Sequence, residues 1–186
     1  GKTYDAWIRF SNASSIAQPD FRKRATFQGM AIKLMGVPGT KILHEEAEAT
    51  TQDFVLTTSP VFFTPNVAEF LTFWRKKIRF GETLGLLIYM FTAWKRFSNA
   101  RRMNKLSSTV TNPVTGTFWS AVPSRLGKYA VKYATRPWDR DRWWRKSSAP
   151  DFRREAMAEY LSKQDARFDF LVQFQTDPKK MPIDDS

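Results

Sequence analysis

Residues 6–12, Ala-Trp-Ile-Arg-Phe-Ser-Asn, alternate with the two-residue period of a β-strand. Ala6, Ile8 and Phe10 fall on one face, and Trp7, Arg9 and Ser11 on the other. A polar, charged stretch over 11–26 leads to a second strand candidate from Phe27 to Leu34. Gly36, Pro38 and Gly39 then mark a loop, extended by the acidic segment Glu45–Glu48 that carries His44. A third strand candidate, Asp53 to Phe63, contains Pro60, which points to a strand end, an edge or a bulge. Toward the other terminus, Phe168, Phe170, Val172 and Phe174 alternate cleanly within Arg167–Gln175. Phe118–Val122 and Tyr129–Ala134 read as a strand pair across Pro123–Gly127.

Between these strands the period changes. Asn66 reads as an N-cap with Glu69 three residues on, in capping-box style. Val67, Phe70, Leu71, Trp74 and Ile78 recur at helical spacing, so 67–79 is expected to be an amphipathic helix. Glu82 to Phe97 reads as a second helix, unusually apolar and ending in Lys95 and Arg96. Residues 98–117 look like loop, and 136–150 is basic, Trp-rich and irregular. Asp151 is placed to cap a helix over 152–163. The pattern is α+β, with antiparallel strands and helices in insertions.

Composition narrows the chemistry. A chain of 186 residues, 42% hydrophobic and 15% aromatic, has enough apolar surface for a folded core. Its longest apolar run, Leu84 to Trp94, has 11 residues and is broken by Gly85 and Thr92. That is short of the roughly 18 apolar residues of a membrane-spanning helix. With no cysteine, disulfides, iron–sulfur clusters and thiol catalysis are excluded, and a single histidine excludes His-rich metal sites. The compartment is not decided by this, with the cytoplasm favoured. A net charge of +12 favours anionic partners: nucleic acid, acidic lipid, or the carboxylates of a cofactor. Beginning at Gly1 without a Met, the chain reads as a segment of something longer.

Several residues stand out, each with a plainer reading beside the functional one. Arg9 on an otherwise apolar strand is either a solvated edge-strand side chain or a carboxylate clamp inside a pocket. Phe62, Phe63, Phe70, Phe73 and Trp74 crowd within 13 positions, as core or as the wall of a flat ligand. His44 has no second ligand at metal spacing and reads as solvent-exposed. Tyr129 follows Arg125 by four residues. That spacing suits either a plain strand tyrosine or a phenol activated by a cation. The basic, aromatic run Arg136–Lys146, with Trp138, Trp143 and Trp144, is a solvated surface or a stacking platform for nucleic acid. The Leu84–Trp94 helix with its basic flank is a buried helix or one lying on an anionic membrane. No phosphate-binding loop, dinucleotide fingerprint, zinc-protease motif or nucleophile elbow occurs.

Taken together the blocks resemble a known family. Residues 7–12 (Trp-Ile-Arg-Phe-Ser-Asn), 28–34 (Gln-Gly-Met-Ala-Ile-Lys-Leu) and 53–63 (Asp-Phe-Val-Leu-Thr-Thr-Ser-Pro-Val-Phe-Phe) are similar to three successive blocks of the haem catalase core. Those blocks read approximately VRFS, RGFAVKF and DLVGNNTPVFF, in the same order and with similar gaps. Residues 128–133 and 168–173 resemble later core strands. The 123–127 turn and the 181–185 segment are similar to the small, divergent bacterial catalase-related proteins. The resemblance implies an incomplete catalase-like antiparallel β-barrel with helical insertions and haem b in the intact parent. Residues 1–186 would then be the central part of one haem-binding domain, between a distal-histidine segment and a proximal-tyrosine segment.

On that resemblance Arg9 matches the arginine that pairs with a haem propionate. Ser11 matches the serine that orients the distal histidine, Phe62 a distal-pocket phenylalanine, and Phe70 the ring that stacks over the haem. Thr57 stands where the family has its distal asparagine, Gln28 replaces the arginine of RGF, and Thr26 the channel aspartate. No catalytic residue and no iron ligand is assigned within the chain. The implied function is a haem-dependent oxidoreductase acting on hydrogen peroxide or on organic and lipid hydroperoxides, inactive as this segment. Alternatives are a non-catalytic haem-binding or interaction module, and a basic nucleic-acid binder. The expected partners are a hydroperoxide, lipid or a membrane surface, and further copies of the chain, with no nucleic acid.

Overall fold

The computed structural model describes residues 1–12, 19–20, 27–62, 64–92, 101, 110–139 and 148–183. Thr26, Phe63, Trp94, Lys95, Arg96, Trp143 and Trp144 lie outside them. Seven strands form one antiparallel sheet: β1 (Ala6–Asn12), β2 (Gln28–Met35), β3 (Thr51–Thr57), β4 (Phe118–Trp119), β5 (Ser124–Leu126), β6 (Tyr129–Pro137) and β7 (Phe168–Phe174). Among the described residues three helices accompany it: α1 (Val67–Phe80), α2 (Glu82–Phe91) and α3 (Phe152–Leu161). The fold is α+β.

Register explains the sheet order. β1 pairs with β2 and β2 with β3, so the first three strands form a meander. β3 passes to β6 through the two-residue β4. β5 also pairs with β6, at Val131, Ala130 and Tyr129, while β4 meets Thr135 and Ala134 further along. β4 and β5 therefore lie end to end on one edge of β6, and β7 takes the other edge. Pro123–Gly127 is not the turn expected there. Ser124–Leu126 is itself a strand, and the turn is Gly127–Lys128. Gly127 has φ 58 at the first loop position, where a two-residue hairpin needs glycine.

The sheet is not closed into the expected barrel: among the described residues, β1 and β7 pair on one side only. It is strongly curled all the same. Phe10 of β1 and Phe118 of β4 are three strands apart, about 14 Å in a flat sheet, yet their rings lie 5.7 Å apart. Phe54 of β3 and Phe170 of β7 are also three strands apart and lie 4.8 Å apart. Met30, Ile32, Leu56 and Phe118 form the buried centre of this concave face, flanked by Phe10, Leu34, Phe54, Tyr133 and Phe168. On β1, β2, β3 and β7 these residues occupy the even positions, as the alternation at 6–12 and 168–174 requires, while β4 contributes Phe118 and the odd positions of β6 contribute Tyr133.

The helices confirm their capping signals unevenly. Asn66 Oδ1 accepts from the Glu69 amide at 2.9 Å, as a capping residue should. The second helix ends at Phe91, six residues before its expected end. Asp151 precedes α3 but makes no side-chain cap. Asp20 does so instead from 133 residues away, its Oδ2 accepting from the Arg153 amide at 3.0 Å. Asp20 also pairs with the Arg153 guanidinium at 2.7 Å, with the two side chains 8% and 12% exposed.

Candidate functional site

The convex face of β1–β3 carries the odd-numbered residues. In the register, Ser11 faces Gly29, and Gly29 faces Thr57. The next row is Arg9, Ala31 and Val55, and the one beyond is Trp7, Lys33 and Asp53. Trp119 extends the Thr57 row. Arg9, Ser11 and Thr57 therefore share one face, as the alternation predicts, with about 10 Å between the outer strands. The floor between them is glycine and alanine, so it has almost no relief. A Cβ at Gly29 would lie 2.7 Å from Ser11 Oγ, which shows that the serine side chain leans into the space glycine leaves.

At one end of this floor Lys33 and Asp53 neutralise each other at 3.4 Å. Arg9 is exposed and makes no ion pair or hydrogen bond among the described residues, so its guanidinium remains available to a carboxylate. Val55, 78% exposed, and Trp7, 74% exposed, stand as apolar walls beside it. This combination of flat small-residue floor, apolar walls and one unpaired cation suits a planar apolar molecule with an acidic substituent.

Phe62 and Phe70 come together, with ring centroids 5.0 Å apart and edge to face, and Trp74 lies 6.2 Å beyond Phe70. Chain connection brings Phe62 to the region five residues after Thr57. The Lys132 ammonium, on the convex side of β6, donates to the Pro60 carbonyl at 2.6 Å. That bond holds the segment leaving β3 over the convex side of the sheet. Partial burial without a carboxylate pushes the Lys132 amine below its ordinary value.

Other candidates do not join this face. Tyr129 points to the concave side and stacks edge-on against Phe174 at 5.5 Å. Arg125 faces Ala130 and so lies on the opposite side of the ladder. Its Nε donates to the Gly127 carbonyl at 2.8 Å rather than approaching the phenol. Arg125 therefore does not pair with that tyrosine, and the cation over its ring is the Lys128 ammonium, 5.2 Å from the centroid. His44 is exposed in a short 3₁₀ turn between β2 and β3, at the Trp7–Lys33–Asp53 end, away from Ser11 and Thr57.

A second feature lies at the β6–β7 edge, where Arg136, Pro137, Trp138 and Asp169 line an open depression of about 480 Å³. Its polar groups are spent on each other. Arg136 Nη2 donates to Asp169 Oδ2 at 2.8 Å, and Trp138 Nε1 donates to Asp169 Oδ1 at 2.7 Å. Hydrogen bonds from Arg136 and Trp138 hold the Asp169 carboxyl below the ordinary aspartate value. The Arg167 guanidinium covers the Trp138 ring at 5.8 Å. Arg136 and Trp138 thus have partners in the fold, and residues 140–146 of the Trp-rich run, with Trp143 and Trp144, are outside the described residues.

Sequence reasoning missed Gly29 and Ala31 as site residues. The signal was present, because Gly29 and Ala31 occupy successive odd positions of a strand whose even positions include Met30, Ile32 and Leu34. No group of three or more histidine, cysteine or carboxylate side chains is arranged to hold a metal ion among the described residues. No helix among them is long and apolar enough to cross a membrane. No known family model matches the chain, and no curated protein matches its sequence.

Proposed function

We propose that the convex face of β1–β3 is one wall of a haem pocket, in a catalase-related oxidoreductase that acts on hydrogen peroxide or organic hydroperoxides. The observation that carries the reading is the unpaired Arg9 beside the Gly29–Ala31 floor. Haem b is planar, mostly apolar and edged by two carboxylates, which is the shape and charge this wall suits. Haem, when bound, would supply an iron centre for cleavage of a hydroperoxide O–O bond. The chain's own residues would hold the ring: Arg9 pairs with one propionate, and Gly29 and Ala31 let the macrocycle approach the sheet. Ser11 and Thr57 present hydroxyls along the row beside it, and Phe62 with Phe70 gives an apolar edge.

The fit stops at the metal. None of the described residues on this face is a histidine, tyrosine or cysteine, the usual protein ligands of haem iron.

Haem titration followed by visible absorbance tests the wall. Saturable binding is expected, weakened about tenfold by Arg9→Leu, which removes one charge-assisted contact of about 1.4 kcal/mol. Gly29→Val, which raises the floor, is expected to weaken it as well, whereas Ile42→Glu in the loop after β2 leaves it unchanged. Absence of binding, or equal affinity in the Arg9→Leu protein, would sink the proposal.

A further inference from the structure

α1 shows an apolar stripe that stays exposed among the described residues. At 100° per residue, Val67, Leu71, Trp74 and Ile78 fall within about 60° of one another, a single seam along the helix. Such a seam is expected to face a core. Instead Val67 is 73% exposed, Leu71 48%, Trp74 36% and Ile78 79%. The face that α1 buries lies about 120° away around the helix. There Phe73 packs against Tyr89 of α2 at 5.4 Å, and Gly85 comes against the Lys76 backbone. The antiparallel partner therefore satisfies a different side of α1, and the four seam positions stay exposed among the described residues.

Cations border the seam. On the same helical wheel Arg75 falls on one flank and Lys77 on the other, with Arg79 further round. The Lys77 ammonium lies 4.9 Å over the Trp74 ring, at the boundary between the apolar and charged surfaces. α2 adds Leu84 and Phe91, exposed on the side away from α1.

We infer that the α1–α2 hairpin docks on an anionic lipid surface, with Val67, Leu71, Trp74 and Ile78 inserted among the acyl chains and Arg75 and Lys77 at the headgroups. Charge complementarity selects this occupant. Flanking cations meet acidic headgroups favourably, whereas pairing two copies of the seam face to face would bring Arg75 and Lys77 against the same residues of the other copy. A tryptophan at the apolar–polar boundary and a net charge of +12 act in the same direction. The inference is independent of haem, since the seam and the Arg9 floor share no residue.

The test is co-flotation of the protein with vesicles of phosphatidylcholine, with and without phosphatidylglycerol, read together with tryptophan emission. Binding is expected only with phosphatidylglycerol, accompanied by a blue shift and weakened by added salt. The double variant Leu71→Glu, Ile78→Glu changes two exposed positions and is expected to lower partitioning about tenfold or more while circular dichroism stays the same. Arg75→Glu is expected to weaken it too, and Ile42→Glu to leave it unchanged. The inference fails if no flotation occurs, or if the double variant floats as the parent does, which would assign binding to general surface charge. It also fails if the double variant turns a self-associated protein into a monomer without altering flotation, which would assign the seam to a second copy.

Discussion

Asp20 illustrates how one residue ties distant parts of the chain together. Its carboxylate caps α3 at the Arg153 amide, accepts from the Arg153 guanidinium, and receives the Asn12 side-chain amide at 3.3 Å. Arg153 in turn donates through Nε to the Val110 carbonyl at 3.0 Å. Both charged groups are nearly buried, so removal of one leaves the other desolvated and unpaired. Asp20→Ala is expected to destabilise the protein by about 3 kcal/mol in urea unfolding. Combining it with Arg153→Met should recover part of that loss, because the stranded charge is then removed as well. A loss under about 0.5 kcal/mol would show the pair to be solvated.

Among the elements, the helical hairpin depends on close approach at Gly85. A Cβ there would lie 2.4 Å from the Lys76 carbonyl oxygen and 2.7 Å from Lys77 Cα, both backbone atoms that cannot swing aside. Alanine would gain about 1 kcal/mol of helix propensity over glycine. Separating the helices loosens the Phe73–Tyr89 contact and the hydrogen bond from Tyr89 Oη to Glu69 Oε2 at 3.3 Å. Overpacking of this kind costs about 1–3 kcal/mol, so the backbone clash outweighs propensity. Gly85→Ala is expected to lower the thermal midpoint, and a rise would show that the hairpin opens freely. Gly81 serves the same hairpin differently, taking φ 79 between the two helices, a conformation that side chains with a Cβ rarely adopt.

For the whole molecule, the curl of the sheet follows from aromatic contacts across its concave face. Phe118 is 0% exposed and sits in a strand only two residues long, joining β3 to β6. It meets Phe10 from the far edge, while Phe54, Tyr133 and Phe170 close the other side at 4.8 to 5.5 Å. Phe118→Ala would open a cavity where β4 joins the two halves of the sheet. The expected loss is about 4 kcal/mol in urea unfolding. Val55→Thr, on the exposed convex face, is expected to stay within about 0.5 kcal/mol. Similar losses for the two would mean that the sheet is held by its backbone ladder rather than by this core.

The strands β1, β2 and β7, the α1 cap at Asn66 and the division of β1 into an Arg9 face and an Ile8 face were all legible from local pattern. Strand alternation and capping depend on neighbours within a few residues, so a single chain carries them in full. The row Ser11–Gly29–Thr57 was only half legible. Alternation places each residue on a face, but register between strands decides which residues share a row. The cap of α3 and the outward seam of α1 were not legible at all. Asp151 and Asp20 are equally able to cap, and a seam of apolar residues is the same whether another element covers it or not. Those outcomes depend on contacts between residues far apart in sequence, where geometry in three dimensions selects among groups of equal local chemistry.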